Sequence, residues 1–140
     1  MGALFLLFSF FAHSQDWKTT YQEALHTAEK GNKPLILVFS GSDWCAPCIK
    51  LDRQIWQSTD FKDHAQKHYV LYKADFPRKK GNRVSQEVAR TNAQLAERFN
   101  PRGYFPLVLV MGQDEKVLGR FDYKNVSPTE YIELLNSVLK

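Results

Sequence analysis

Apolar positions fall in short runs that switch between two spacings, and the switching predicts a chain of mixed helices and strands. Trp17, Tyr21, Ala24, Leu25 and Ala28 recur at helical intervals, with Asp16 placed to cap the start and Gly31 to stop the helix. Leu35 to Ser40 is an unbroken apolar run too short for a helix, so it is expected as a buried strand. Gly41-Ser42-Asp43 follows as a polar loop. A helix is then expected from Cys45 to about Trp56, with Ile49 and Leu51 or Ile55 facing inward.

Ser58-Thr59-Asp60 offers caps for a short helix reaching about Lys67, and Tyr69 to Phe76 has the look of a second strand. After an Arg- and Lys-rich stretch, Val84 to Phe99 is expected as a helix whose Val88, Leu95 and Phe99 meet the core. Pro106 to Met111 and Lys116 to Tyr123 flank the turn Gly112–Glu115 and are expected to pair as a hairpin. Ser127, Pro128 and Glu130 form a capping box with proline in the first turn, and Tyr131, Ile132, Leu135 and Val138 supply the apolar stripe of a last helix. The expected order is α-β-α-α-β-α-β-β-α.

At 140 residues, 44% of them hydrophobic and 24% charged, the chain suits one domain with a real core. A net charge of +4 calls for no nucleic-acid partner. The densest basic group, Arg78, Lys79, Lys80 and Arg83, sits around Gly81-Asn82 and reads as a solvated loop, with no Gly-rich phosphate motif and no RNA-binding aromatic signature beside it. Residues 1–14 differ from the rest. Ala3 to Phe11 is an uncharged apolar run, too short to span a bilayer comfortably, and Ala12 and Ser14 fit the two small positions of a signal-peptidase site. Residues 1–14 are therefore expected as a signal peptide lacking the usual basic start. The remainder, 15–140, would be an exported domain with no stable membrane insertion after cleavage.

The chain's two cysteines lie three residues apart in Trp44-Cys45-Ala46-Pro47-Cys48, directly after the expected buried strand. A strand, a short loop and a helix would put Cys45 at the helix N-terminus, where unpaired N–H groups and the helix dipole favour a thiolate. Such surroundings lower a cysteine pKa from about 8.5 to about 3.5–7.5, and the thiolate is the nucleophile of disulfide exchange. A purely structural disulfide would be a poor use of the pair. The loop it closes is tiny and removes little unfolded-state entropy.

The strand Leu35–Ser40, the segment Trp44–Cys48, the strand Tyr69–Phe76 and Gly103-Tyr104-Phe105-Pro106 before the last hairpin occur in an order that resembles the thioredoxin-like family, over about Trp17 to Lys140. The longer Asp75–Lys80 segment resembles exported bacterial members. The resemblance implies an α/β thioredoxin fold, a mixed sheet of about four strands flanked by helices, with an extra N-terminal helix. It implies a protein-disulfide oxidoreductase in which Cys45 attacks and Cys48 resolves, with Trp44 shielding the site and Pro47 shaping the helix start. Pro106 would be the family's cis-proline, and the backbone of Phe105 would bind an extended substrate segment. No cofactor is implied beyond the Cys45–Cys48 disulfide. The expected partners are disulfide-bearing proteins in the periplasm or outside the cell and, for a reductant there, a membrane-side electron donor. With no basic residue in Ala46-Pro47, the reducing direction is preferred.

Many members carry a buried acid where this chain has Phe39, which leaves the proton acceptor of Cys48 without a name; Asp43, in the loop, reads as solvated. Leu107 follows Pro106 where threonine is common. Two other readings stand beside the redox one. Cys45, Cys48, His64 and His68 have a loose zinc-ligand spacing, although taken singly the histidines read as exposed helix residues. The Tyr104-Phe105-Pro106 surface would also serve a non-catalytic binding module.

Overall fold

The apolar run Leu35–Ser40 becomes β1, and all six of its residues are buried. The computed structural model describes residues 16–140; the expected leader at 1–14 lies outside them. β1 is flanked on both edges, as an uninterrupted apolar strand must be. β2 (Val70–Asp75) runs parallel to it, from Leu35 opposite Val70 to Ser40 opposite Asp75. β3 (Leu107–Met111) runs antiparallel on the other side, and β4 (Val117–Phe121) closes the sheet as a hairpin partner, giving the order β2-β1-β3-β4. β4 alternates half-buried and exposed positions, as an edge strand does. Its register slips between Val110 and Met111, which takes up one residue of the hairpin.

Helices cover both faces. α1 (Tyr21–Gly31) and α4 (Gln86–Phe99) pack with Leu35, Leu37, Phe39, Tyr72 and Leu109 on one side. On the other side α2 (Ala46–Leu51), α3 (Thr59–His68) and α5 (Pro128–Asn136) meet Ile36, Val38, Val108 and Val110 around Trp56 and Tyr131. Each fully buried Leu, Ile or Phe contributes about 1.5–3 kcal/mol. The capping box at Ser127 and Glu130 is formed as expected.

The boundaries depart from the periodic reading in four places. Thr20, not Asp16, caps α1, and Asn32 ends it in the left-handed region at φ 50°. Trp17 precedes the helix and bridges Leu71 in the manner of a short extra strand, so its fit to the helical spacing is coincidental. The helix carrying the cysteines changes at Asp52 to a π-helical turn, Asp52–Trp56, before α3 begins under a Ser58 cap. That wide turn keeps Leu51, Ile55 and Trp56 all buried, while Ile49 is only half so. In α4, Val88 is half-buried and the polar Asn92 is buried in its place. The Asn92 amide oxygen accepts from Tyr72 Oη at 2.6 Å, and its Nδ2 donates to the Asp75 carbonyl, which explains a polar residue in the core.

Candidate active site

Where β1 and β2 end side by side, the chain leaves the sheet twice, and the two exits are tied together. After β1, Gly41 lies against the Trp44 ring so closely that a side chain there would overlap it. The Ser42 N–H donates to Asp75 Oδ1 at 2.9 Å, and the Ser42 hydroxyl bonds the other oxygen of the same carboxylate. Asp43 keeps contact with solvent in its loop, but it is also tied to another segment. Its carboxylate accepts the N–H groups of Arg78 and Lys79, both at 2.9 Å, and Asn82 Nδ2 at 3.1 Å. These bonds, the Arg78 N–H foremost, hold the Asp43 carboxyl below its ordinary value. Trp44 Nε1 donates to the Phe76 carbonyl at 2.7 Å, its ring meets Phe105 edge-on, and the Arg78 guanidinium lies 3.9 Å from the ring centroid. Of the basic run, therefore, Arg78 is stacked on the site, while Lys79, Lys80 and Arg83 are exposed loop residues.

Cys45 is the N-cap of α2, and its Sγ accepts the Cys48 N–H at 3.3 Å. The two cysteines form a disulfide with 5.2 Å between their Cα atoms. Both are nearly covered, at 5% and 3% exposure, so the pair is approached from one side. Pro47 lies in the first turn of α2 and is exposed, where its missing N–H costs no helical bond. An open groove of about 720 Å³ starts at Pro47 and passes Tyr104, Phe105 and Pro106 to Phe121 and Tyr123. Tyr104 is 57% exposed, and the Phe105–Pro106 peptide bond is cis. Asn100 shapes this wall. Its Oδ1 accepts the Tyr104 N–H and its Nδ2 donates to the Tyr104 carbonyl, in imitation of a strand partner. Gly103, at φ +70°, makes the turn between them.

Trp44, Cys45, Pro47, Cys48, Phe105 and Pro106 thus share one end of the sheet. His64 and His68 do not join them. They stack on each other at 4.5 Å on α3, near Tyr69, which leads into the start of β2, whereas Cys45 follows the end of β1. A parallel strand of six residues, roughly 17–20 Å, separates the two places, so the zinc spacing does not close into a site. His68 is exposed, but His64 is half-buried, and burial lowers its pKa with the His68 charge adding to the effect. Among the described residues no three His, Cys, Asp or Glu side chains gather as a metal site.

Asp43, Asp75, Arg78 and Asn100 were not singled out as site residues by the sequence reading. The partners of Asp43, Asp75 and Arg78 lie on other segments, up to 39 positions away in the case of Asp43 and Asn82, while Asn100 bonds the backbone of Tyr104 four residues on. A polar residue in a Gly-Ser-Asp loop carries no local mark of such a bond.

Comparison with known proteins agrees with this geometry. A thioredoxin-like family model matches residues 16–112. The disulfide bond reductase DsbH of Chlamydia pneumoniae is 34% identical over 129 residues, covering 92% of this chain and 75% of the relative. A solved structure of a DsbH oxidoreductase superposes with a TM-score of 0.84 at 31% identity, over 99% of this chain and 94% of the other. The thioredoxin-related protein DsbJ of Chlamydia pneumoniae is 26% identical over 74% of this chain, which spans 29% of that longer protein.

Proposed function

Because this chain belongs to the thioredoxin-like family and is a protein-disulfide oxidoreductase, we propose that it acts as a reductant of disulfides in exported proteins. The observation that carries the reading is the disulfide at the start of α2, with the Cys48 N–H directed at Cys45 Sγ and an open groove beginning at Pro47. In the reduced protein the same N–H stabilises a Cys45 thiolate. The thiolate attacks one sulfur of a substrate disulfide, and the electron pair of the broken S–S bond leaves on the other substrate sulfur, which takes up a proton. Cys48 then attacks Cys45, forming the Cys45–Cys48 bond and releasing the second substrate thiol. The substrate gains two electrons and the enzyme's dithiol loses them.

The extended segment around the substrate cysteine lies in the groove, paired to the backbone of Phe105 beside Pro106. Tyr104 and Phe105 favour apolar neighbours of that cysteine. Trp44 covers the disulfide and Pro47 sets the helix start. The reducing direction is supported by Ala46-Pro47, which puts no basic or imidazole group between the cysteines, and by the name of the reductase relative. Residues 1–14 would direct export, and re-reduction would come from a membrane-side donor with no cofactor in this chain. Among the described residues no helix is long and apolar enough to cross a membrane.

Equilibration of the purified protein with glutathione tests the direction. A potential near that of thioredoxin, about −270 mV, supports the reductant; one near about −120 mV, the oxidase range, overturns it. Cys45→Ser is expected to abolish reduction of insulin disulfides, while Cys48→Ser should accumulate substrate covalently on Cys45. A Cys45→Ser protein with full reductase activity would refute the assignment.

A further inference from the structure

The resolving step needs a proton acceptor for Cys48, a residue 3% exposed. Phe39 offers none: it is wholly buried and packs with Leu35 and Leu37 on the α1 and α4 face of the sheet. Cys48 instead lines a cavity of about 300 Å³ on the opposite face, with Ser40, Asp52, Gln57 and Lys73. Asp52 lies four residues after Cys48, so one helical turn carries both side chains to the same face. Resting on the dithiol mechanism proposed above, we infer that Asp52 is the group that takes the Cys48 proton, and that Lys73 holds its carboxylate in place.

Two contacts fix the carboxylate. Lys73 Nζ lies 3.5 Å from Asp52 Oδ1, and the Gln57 side-chain amide donates to Asp52 Oδ2. The π-helical turn is what brings Gln57 there, because the Gln57 N–H bonds the Asp52 carbonyl five residues back at 2.9 Å. Lys73 reaches the cavity because Lys73 pairs with Val38, whose side chain belongs to the same face, and its ammonium also lies 4.7 Å from the centroid of Trp17. Both members of the ion pair keep partial solvent contact, with side-chain exposures of 27% for Lys73 and 34% for Asp52. That contact gives Asp52 a route for returning the proton to solvent after the step. A cavity of this size admits water, and its polar walls give that water the partners needed to carry a proton from Sγ to the carboxylate.

In the mixed disulfide, the Cys48 S–H proton passes through this cavity to Asp52. The freed thiolate attacks Cys45 Sγ, the Cys45–Cys48 bond forms, and the bond from Cys45 to the substrate sulfur breaks. The electron pair leaves with the substrate sulfur, which is protonated from solvent or by Asp52. The charged groups around Asp52 are Lys73 from β2, Arg53 beside it and Cys48 from α2.

Rapid mixing of the reduced full-length protein with 5,5′-dithiobis(2-nitrobenzoate) separates the two steps by absorbance. The first coloured thiol marks attack by Cys45, the second marks resolution by Cys48. Asp52→Asn is expected to slow the second release at least about tenfold at pH 7 and leave the first within about twofold. Ordinary carboxyl and thiol ionisations bracket pH 6–8. The wild-type second phase should therefore be nearly flat across that range, whereas in D52N it should climb about tenfold per pH unit. Asp52→Glu should recover the flat profile. A D52N second phase with the wild-type rate and profile removes Asp52 from the step, leaving the dithiol mechanism intact. Failure of the wild type to release a second equivalent removes the dithiol mechanism, and the Asp52 inference with it.

Discussion

At the scale of single residues, the site depends on bonds between side chains and the backbone of another segment. Asp43 binds two N–H groups of the loop that holds Arg78 against Trp44. A carboxyl group whose pKa falls on folding stabilises the fold at pH above its unfolded value, near about 4, and that stabilisation is lost as pH drops through the folded value. Asp43→Asn should therefore melt below wild type at pH 7. The gap between the two melting curves should close below the ordinary carboxylate range, and an unchanged gap there would deny the carboxylate its role. Cys45 and Cys48 stand out by their local spacing after a buried strand, whereas Trp44, Pro47 and Pro106 came with the family resemblance. Asp43 and Arg78 were not legible, because their meaning lies in partners brought close only by the fold, and the bonds of Asn100 to Tyr104 depend on the turn at Gly103.

The elements follow the same division. Helix starts with a Ser or Thr that caps and an acid in the first turn are written locally, and Ser127→Ala is expected to cost about 1 kcal/mol in urea denaturation. Strand β1 was equally plain, since a buried central strand has no polar face to hide it. Thr20 as the cap of α1 was hidden by Trp17, whose position mimics the helical interval although it pairs with Leu71. The π turn at Asp52–Trp56 left no mark because Leu51, Ile55 and Trp56 also satisfy an ordinary helical stripe. Trp56, 1% exposed and packed between Trp17, Phe61 and Tyr131, anchors that turn. Trp56→Ala should lower stability by about 3–5 kcal/mol, read from the urea midpoint. A loss below about 1 kcal/mol would place the anchor elsewhere.

Over the whole molecule, the α-β-α-α-β-α-β-β-α order was readable from alternating periods, while the spatial order β2-β1-β3-β4 is set by pairings between strands that no one strand records. The same topology separates Cys45 from His64 and His68, which sequence spacing alone had set together. Prolonged dialysis against a chelator is accordingly expected to leave the rate of insulin reduction and the melting temperature unchanged; loss of either would restore the metal reading. The parallel pairing of β1 with β2 also sends every reactive loop to one rim, and the Gln113-Asp114 hairpin tip to the other. Biotin or a bead coupled at that tip would present each molecule with its sulfurs turned outward, so an immobilised column of this protein should capture its clients at nearly full occupancy.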